Sequence, residues 1–164
     1  MKFLERFPHC HITIDGERYL SKYHLGRFLG LKWNIHVFHK PDAGRHVHSH
    51  PWDKAVSFIL KGSYTEQRTV GVDTGGDLVY DIRKVRWFNK LNGMSTHRIL
   101  QLHGGKVYTL FGMGKRIQHW GFLEPHRTRT YPEGKVRMMY VPYEERVDDS
   151  QYTEDHGYFD AIRK

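Results

Sequence analysis

The sequence predicts an all-β protein, an antiparallel barrel or two-sheet sandwich, and three observations carry that expectation. Short apolar runs alternate in period two: Trp33, Ile35, Val37 and His39 fall on one face of 32–39, with Asn34, His36 and Phe38 on the other. Glycine- and asparagine-rich turns separate these runs at regular intervals. No amphipathic helix of useful length interrupts them. At 164 residues the chain suits one domain with one core. That domain is expected to span 1–164, with a barrel core at about 12–143 and a polar extension at 148–164.

Taken in order, His11-Ile12-Thr13-Ile14 alternates as a short strand before the Asp15-Gly16 turn. Residues 17–29 read equally as a helical turn or a strand. Pro41-Asp42-Ala43-Gly44 turns the chain into Gly44-Arg45-His46-Val47-His48-Ser49-His50-Pro51-Trp52-Asp53. Next come Val56-Ser57-Phe58-Ile59-Leu60, a turn at Gly62, and a returning strand that carries Tyr64 and Glu66. Residues 72–77 form a hairpin loop, 78–88 a strand and 89–93 a turn. Strands are expected at 96–102 and 107–112, with His103-Gly104-Gly105 as a tight turn between them. The last two fall at 115–122 and 136–141, and 148–164 is a short helix or a tail.

Composition narrows the class. Net charge is +8 with histidine neutral, which favours an acidic ligand: a carboxylate, a phosphate or nucleic acid. The cations are scattered rather than blocked, so a small anionic substrate is the expectation and nucleic acid the weaker one. One cysteine, Cys10, excludes an internal disulfide framework and fits a reducing compartment. The charged start and the lack of a long apolar run lead us to expect a cytoplasmic chain with no membrane segment.

The chemistry concentrates in the histidines. In an extended His48-Ser49-His50, two imidazoles lie side by side, and imidazole is the commonest protein metal ligand. Pro51 holds His50 out of any helix. Gly93-Met94-Ser95-Thr96-His97-Arg98-Ile99 supplies a second segment, with His97 just inside a strand. Three imidazoles, with or without a carboxylate, suit Fe(II), Mn(II), Ni(II) or Zn(II). Shared ligation requires His50 and His97 to lie within about 8 Å of each other. There is no His-x-Asp, His-x-Glu, His-Glu-x-x-His, Gly-x-Ser-x-Gly or Cys-x-x-Cys. These absences disfavour 2-oxoglutarate oxygenase, zincin, serine hydrolase and dithiol readings.

A His-x-His strand followed by a Gly-x-x-x-His strand resembles the cupin superfamily. More narrowly, His48-Ser49-His50-Pro51-Trp52, Gly62 to Glu66, His97-Arg98-Ile99 and Trp120-Gly121-Phe122 resemble small bacterial and phage cupins, some described as cysteine dioxygenase-like. The resemblance implies a double-stranded β-helix with His48, His50 and His97 on one metal, most simply Fe(II). It also leaves room for a homodimer through the sheets. The usual first motif carries a glutamate seven residues before its turn glycine; counting back from Gly62, that position is Ala55. Glu66 is the expected replacement ligand, with Asp53 second and a three-histidine site third. Tyr64, in phase with Glu66, is the candidate catalytic hydrogen-bond donor. Arg116, Arg98 and Trp120 are the candidate substrate contacts, with Arg116 as the anion clamp. Trp52, Trp87 and Trp120 are equally read as barrel packing. The expected activity is an Fe(II) dioxygenase acting on a small acid. The alternatives are a metal-dependent isomerase or lyase acting on a sugar or nucleotide, and a non-catalytic metal-binding cupin.

Overall fold

A computed structural model describes residues 3–44, 46–74, 77–125, 138–142 and 152–155. Among these residues, one 3-10 turn, Leu4–Arg6, precedes ten strands. They are β1 His9–Ile14, β2 Glu17–Phe28, β3 Leu31–Phe38, β4 Lys54–Val72 and β5 Leu78–Val85. The rest are β6 Phe88–Asn92, β7 His97–Met113, β8 Gly121–Pro125, β9 Met138–Pro142 and β10 Tyr152–Asp155. The larger sheet runs β10-β1-β2-β3-β7-β4-β5, with β6 also on β4, and β8 pairs with β9. Strand pairings are antiparallel throughout. The fold class is therefore all-β and antiparallel, as the strand pattern predicts.

Two expected hairpins are instead continuous strands. Gly62 does not reverse the chain, and neither does Gly104-Gly105. β4 passes straight through the first and β7 through the second, paired to each other on both sides of the irregularity. All three glycines have positive φ, from 78° to 83°, which a side chain resists. They make bulges that bend the two long strands together. A Cβ on Gly62 would stand 3.0 Å from the His103 carbonyl oxygen and 3.1 Å from Val107, so the corner also needs a bare backbone. Glu66 accordingly lies on the same strand as Phe58, beyond the bend.

Other expectations shift. Residues 17–28 are strand, and 88–92 form β6 rather than a turn. Residues 152–155 pair with β1 rather than forming a helix. The histidine stretch 46–53 is not a regular strand; it makes isolated bridges from His48 to His97 and Phe122, and from Trp52 to Arg116. It thus links β7 to β8. The expected segments 126–137, 143–151 and 156–164 lie outside the described residues. Trp87 is 81% exposed, so its expected packing role fails.

The alternation on β3 is borne out: Phe38 and His36 line an interior cavity. Two apolar clusters flank that cavity. One comprises Ala55, Leu91, Phe111 and Met113 with Trp52; the other comprises Tyr64, Val85, Ile99 and Val107 with Phe38 and Ile59.

Candidate metal centre

The backbone brings the three histidines together. The His48 N–H donates to the His97 carbonyl at 2.8 Å, and the His97 N–H returns to the His48 carbonyl at 3.0 Å. The Ser49 N–H donates to the Gly121 carbonyl, fixing the segment on its other side. Alternation then carries His48 and His50 to one face. One ligand atom from each of His48, His50 and His97 lies within 4.8 Å of the others. The Nε2 atoms of His50 and His97 are 2.9 Å apart. Two nitrogens each about 2.1 Å from one ion, at right angles, would stand about 3 Å apart. The donor set fits a divalent metal.

A charged network sits behind His97. Its Nδ1 donates to Glu66 Oε2 at 2.9 Å, which leaves Nε2 as the lone-pair nitrogen aimed at the cluster. Glu66 is fully buried. Arg83 Nε donates to Oε1 at 2.8 Å, Arg68 reaches Oε1 at 3.0 Å, and Asn89 donates to Oε2 at 2.8 Å. Burial alone would raise the Glu66 carboxyl. The hydrogen bond from His97, then Arg68 and Arg83, outweigh burial and hold it at about 2. The expectation that Glu66 is a metal ligand is corrected here. Its oxygens are committed to His97, Asn89 and two guanidinium groups, and it orients a ligand instead of being one.

His48 has a second carboxylate. Asp42 Oδ2 lies 3.5 Å from His48 Nδ1 and accepts the Ile99 N–H at 2.6 Å, while Oδ1 accepts the Tyr19 hydroxyl. Local sequence places Asp42 only in a turn. Its signal was the Pro-Asp-Ala-Gly turn immediately before the histidines. Asp53, the second choice for a ligand, accepts the Lys54 and Lys115 N–H groups and is exposed, outside the cluster. Burial pushes His48 down to about 4 against the opposing pull of Asp42, and drives His50 well below the ordinary histidine range. Both are therefore neutral, as ligation requires.

The cluster opens on a cavity of about 440 Å³. Tyr64, Arg116 and Trp120 all line it, as do Lys22, His36 and Phe111. The Tyr64 hydroxyl accepts from Asn89 at 2.9 Å, and burial raises its pKa, so it stays protonated. Arg116 stands at the rim, exposed, its Nε on the Gln118 carbonyl at 3.3 Å. Arg98 is not in the cavity. It points outward, onto the Gly44 carbonyl and Gln67, as strand alternation from the inward His97 demands.

No family model and no curated protein matches the sequence. Solved structures with a similar fold include an Fe(II) form of HppE bound to substrate, at 12% identity and TM-score 0.49, covering 66% of this chain and 57% of that one. Hydroxypropylphosphonic acid epoxidase from S. wedmorenis matches at 13% identity and TM-score 0.42, over 62% and 55%. An oxalate oxidase matches at 13% and 0.44, over 62% and 53%. The chain spans about half the length of the structures it matches.

Proposed function

We propose that this protein is a metal-dependent cupin enzyme, an Fe(II) oxygenase acting on an organic acid. The observation that supports it most is the largely buried three-histidine cluster at the wall of a cavity. With three protein ligands, an ion retains positions for a substrate atom and a second small molecule, and such an ion supplies dioxygen activation or Lewis-acid chemistry. The remaining roles belong to the chain. Glu66 fixes the tautomer and orientation of His97, and Asp42 sets a negative charge 3.5 Å from His48. Phe111 and Trp52 keep water from the His50 ring, which lies 6.2 Å and 5.8 Å from theirs. Tyr64 offers a protonated hydroxyl within the cavity. Arg116 at the rim adds positive charge, which suits an acid.

The test is oxygen uptake by protein reconstituted anaerobically with Fe(II), against thiol acids, amino acids, fatty acids, sugars and nucleotides. Uptake dependent on one acid supports the oxygenase. No uptake with any of them, together with isomerase or lyase turnover of a sugar or nucleotide, would replace it with the Lewis-acid reading.

A further inference from the structure

Strand alternation sends every second residue of β3, β7, β4 and β6 away from the cavity. The register aligns these outward residues in rows across the four strands. One row runs Lys90, Val56, Gly112 and Trp33, and the next runs Phe88, Phe58, Leu110 and Ile35. Lys54 and Asn92 follow on one side, and Lys61 and Tyr108 on the other. Three of the rings form a ladder. Trp33 and Phe58 stack with centroids 6.4 Å apart and planes at 28°, and Phe88 lies 5.2 Å from Phe58. The ladder depends on Gly112. A Cβ there would stand 2.8 Å from the Trp33 indole, so the bare backbone lets that ring lie across β7. Phe58 and Phe88 are 42% and 49% exposed, and Leu60 and Trp87 extend the apolar surface around them. Lys54, Lys61 and Lys90 are exposed on the same face, and Lys61 Nζ stands 5.9 Å from the centre of the Tyr108 ring. Among the described residues no carboxylate falls in these rows. Asp53, beside Lys54 in sequence, turns its Oδ1 onto the Lys54 and Lys115 N–H groups.

We propose that this outer face binds a single-stranded nucleic acid. Its bases stack on Trp33, Phe58 and Phe88, and its phosphates are drawn to Lys54, Lys61 and Lys90. Aromatic rings on a sheet, flanked by lysines, supply what such a strand needs: π-faces for bases of any sequence and cations for the backbone. A second copy of the chain fits less well. A two-fold contact brings the same lysine-bearing patch against itself with no carboxylate in the rows to pair it. An anionic lipid surface meets the lysines but gains nothing from a ladder of rings. The inference is independent of the metal centre, which lies on the inner face.

Fluorescence anisotropy with the full chain and a labelled oligothymidylate of about 12 nucleotides, within the usual site size, tests this. The wild type should bind it more tightly than a duplex of the same length. Phe58→Ala and, as a second variant, Phe58→Leu should each weaken binding about tenfold, the worth of one stacked base. Leucine keeps apolar surface and loses only the ring, so it spares adhesion to lipid or to a second copy. The double variant Lys54→Gln, Lys90→Gln should flatten the slope of log affinity against log salt by about 1.4, at about 0.7 per phosphate contact. Arg18→Gln with Lys84→Gln removes the same charge from exposed positions on β2 and β5 and should leave the slope unchanged. No binding, equal affinity for duplex, full affinity in Phe58→Leu, or an equal change of slope in the Arg18 and Lys84 pair would overturn the proposal. Binding to phosphatidylserine vesicles but not to the oligonucleotide, or a dimer in sedimentation that Phe58→Ala dissolves, would overturn it in favour of those partners.

Discussion

His97 and His50 stand 2.9 Å apart at their Nε2 atoms, yet they are held by different physics. Behind His97 is a buried carboxylate with two arginines and an asparagine on it. Around His50 are rings: Trp52 stacked at 5.8 Å and Phe111 at 6.2 Å. His97 is oriented by directional, charged hydrogen bonds, and His50 by packing. His48 falls between, with Asp42 at 3.5 Å. The difference lies in what stands behind each imidazole. Ala55 offers no ligand, and Glu66, beyond the Gly62 bend, engages His97 instead of joining the three-histidine cluster.

Breaking the charged side should cost most. Glu66→Ala leaves Arg68 and Arg83 without their shared carboxylate, and removing one partner of a buried ion pair costs about 3–5 kcal/mol. Urea unfolding of the metal-free variant reads that loss directly. Glu66→Gln keeps the shape but not the charge, and should weaken Co(II) binding by roughly 10- to 100-fold. Asp42→Asn should weaken it less, because its contact with His48 is longer. Trp52→Leu should cost about 1 kcal/mol of stability, the worth of an aromatic pair, and leave metal affinity nearly intact. A Trp52→Leu variant that loses as much metal affinity as Glu66→Gln would erase the contrast.

The same contrast appears in pH. His48 and His39 are each pushed down to about 4, chiefly by burial. Groups with depressed histidine pKa values stabilise the fold fully above about pH 6.5, and that contribution is lost as pH falls towards 4. Glu66, held at about 2, loses its contribution only lower, between about pH 4.5 and 2. Urea midpoints of metal-free protein should therefore decline in two stages, and Glu66→Gln should remove the second alone.

The histidine half of this site was legible because period-two spacing survives even where the segment is not a regular strand. His48 and His50 reach one face through two isolated bridges. The carboxylate half was not. Glu66 looked like a ligand because Gly62 read as a hairpin; positive-φ glycines serve bulges and turns alike, and only the pairing across β4 and β7 separates them. Asp42 was hidden because its role depends on Ile99 and Tyr19, remote in sequence. Lys22 and His36 each looked like an ordinary strand residue, since nothing local says that β2 and β3 put them in one cavity. Fold class followed from alternation, whereas strand length depended on register that no single segment carries.

The most direct test is a calorimetric titration of metal-free protein with Co(II), wild type beside His48→Ala, His50→Ala and His97→Ala. One ion per wild-type chain, with binding abolished in each of the three variants, is the predicted result. Stoichiometric binding that survives in His97→Ala would contradict a shared three-histidine centre and leave Glu66 with no ligand to orient.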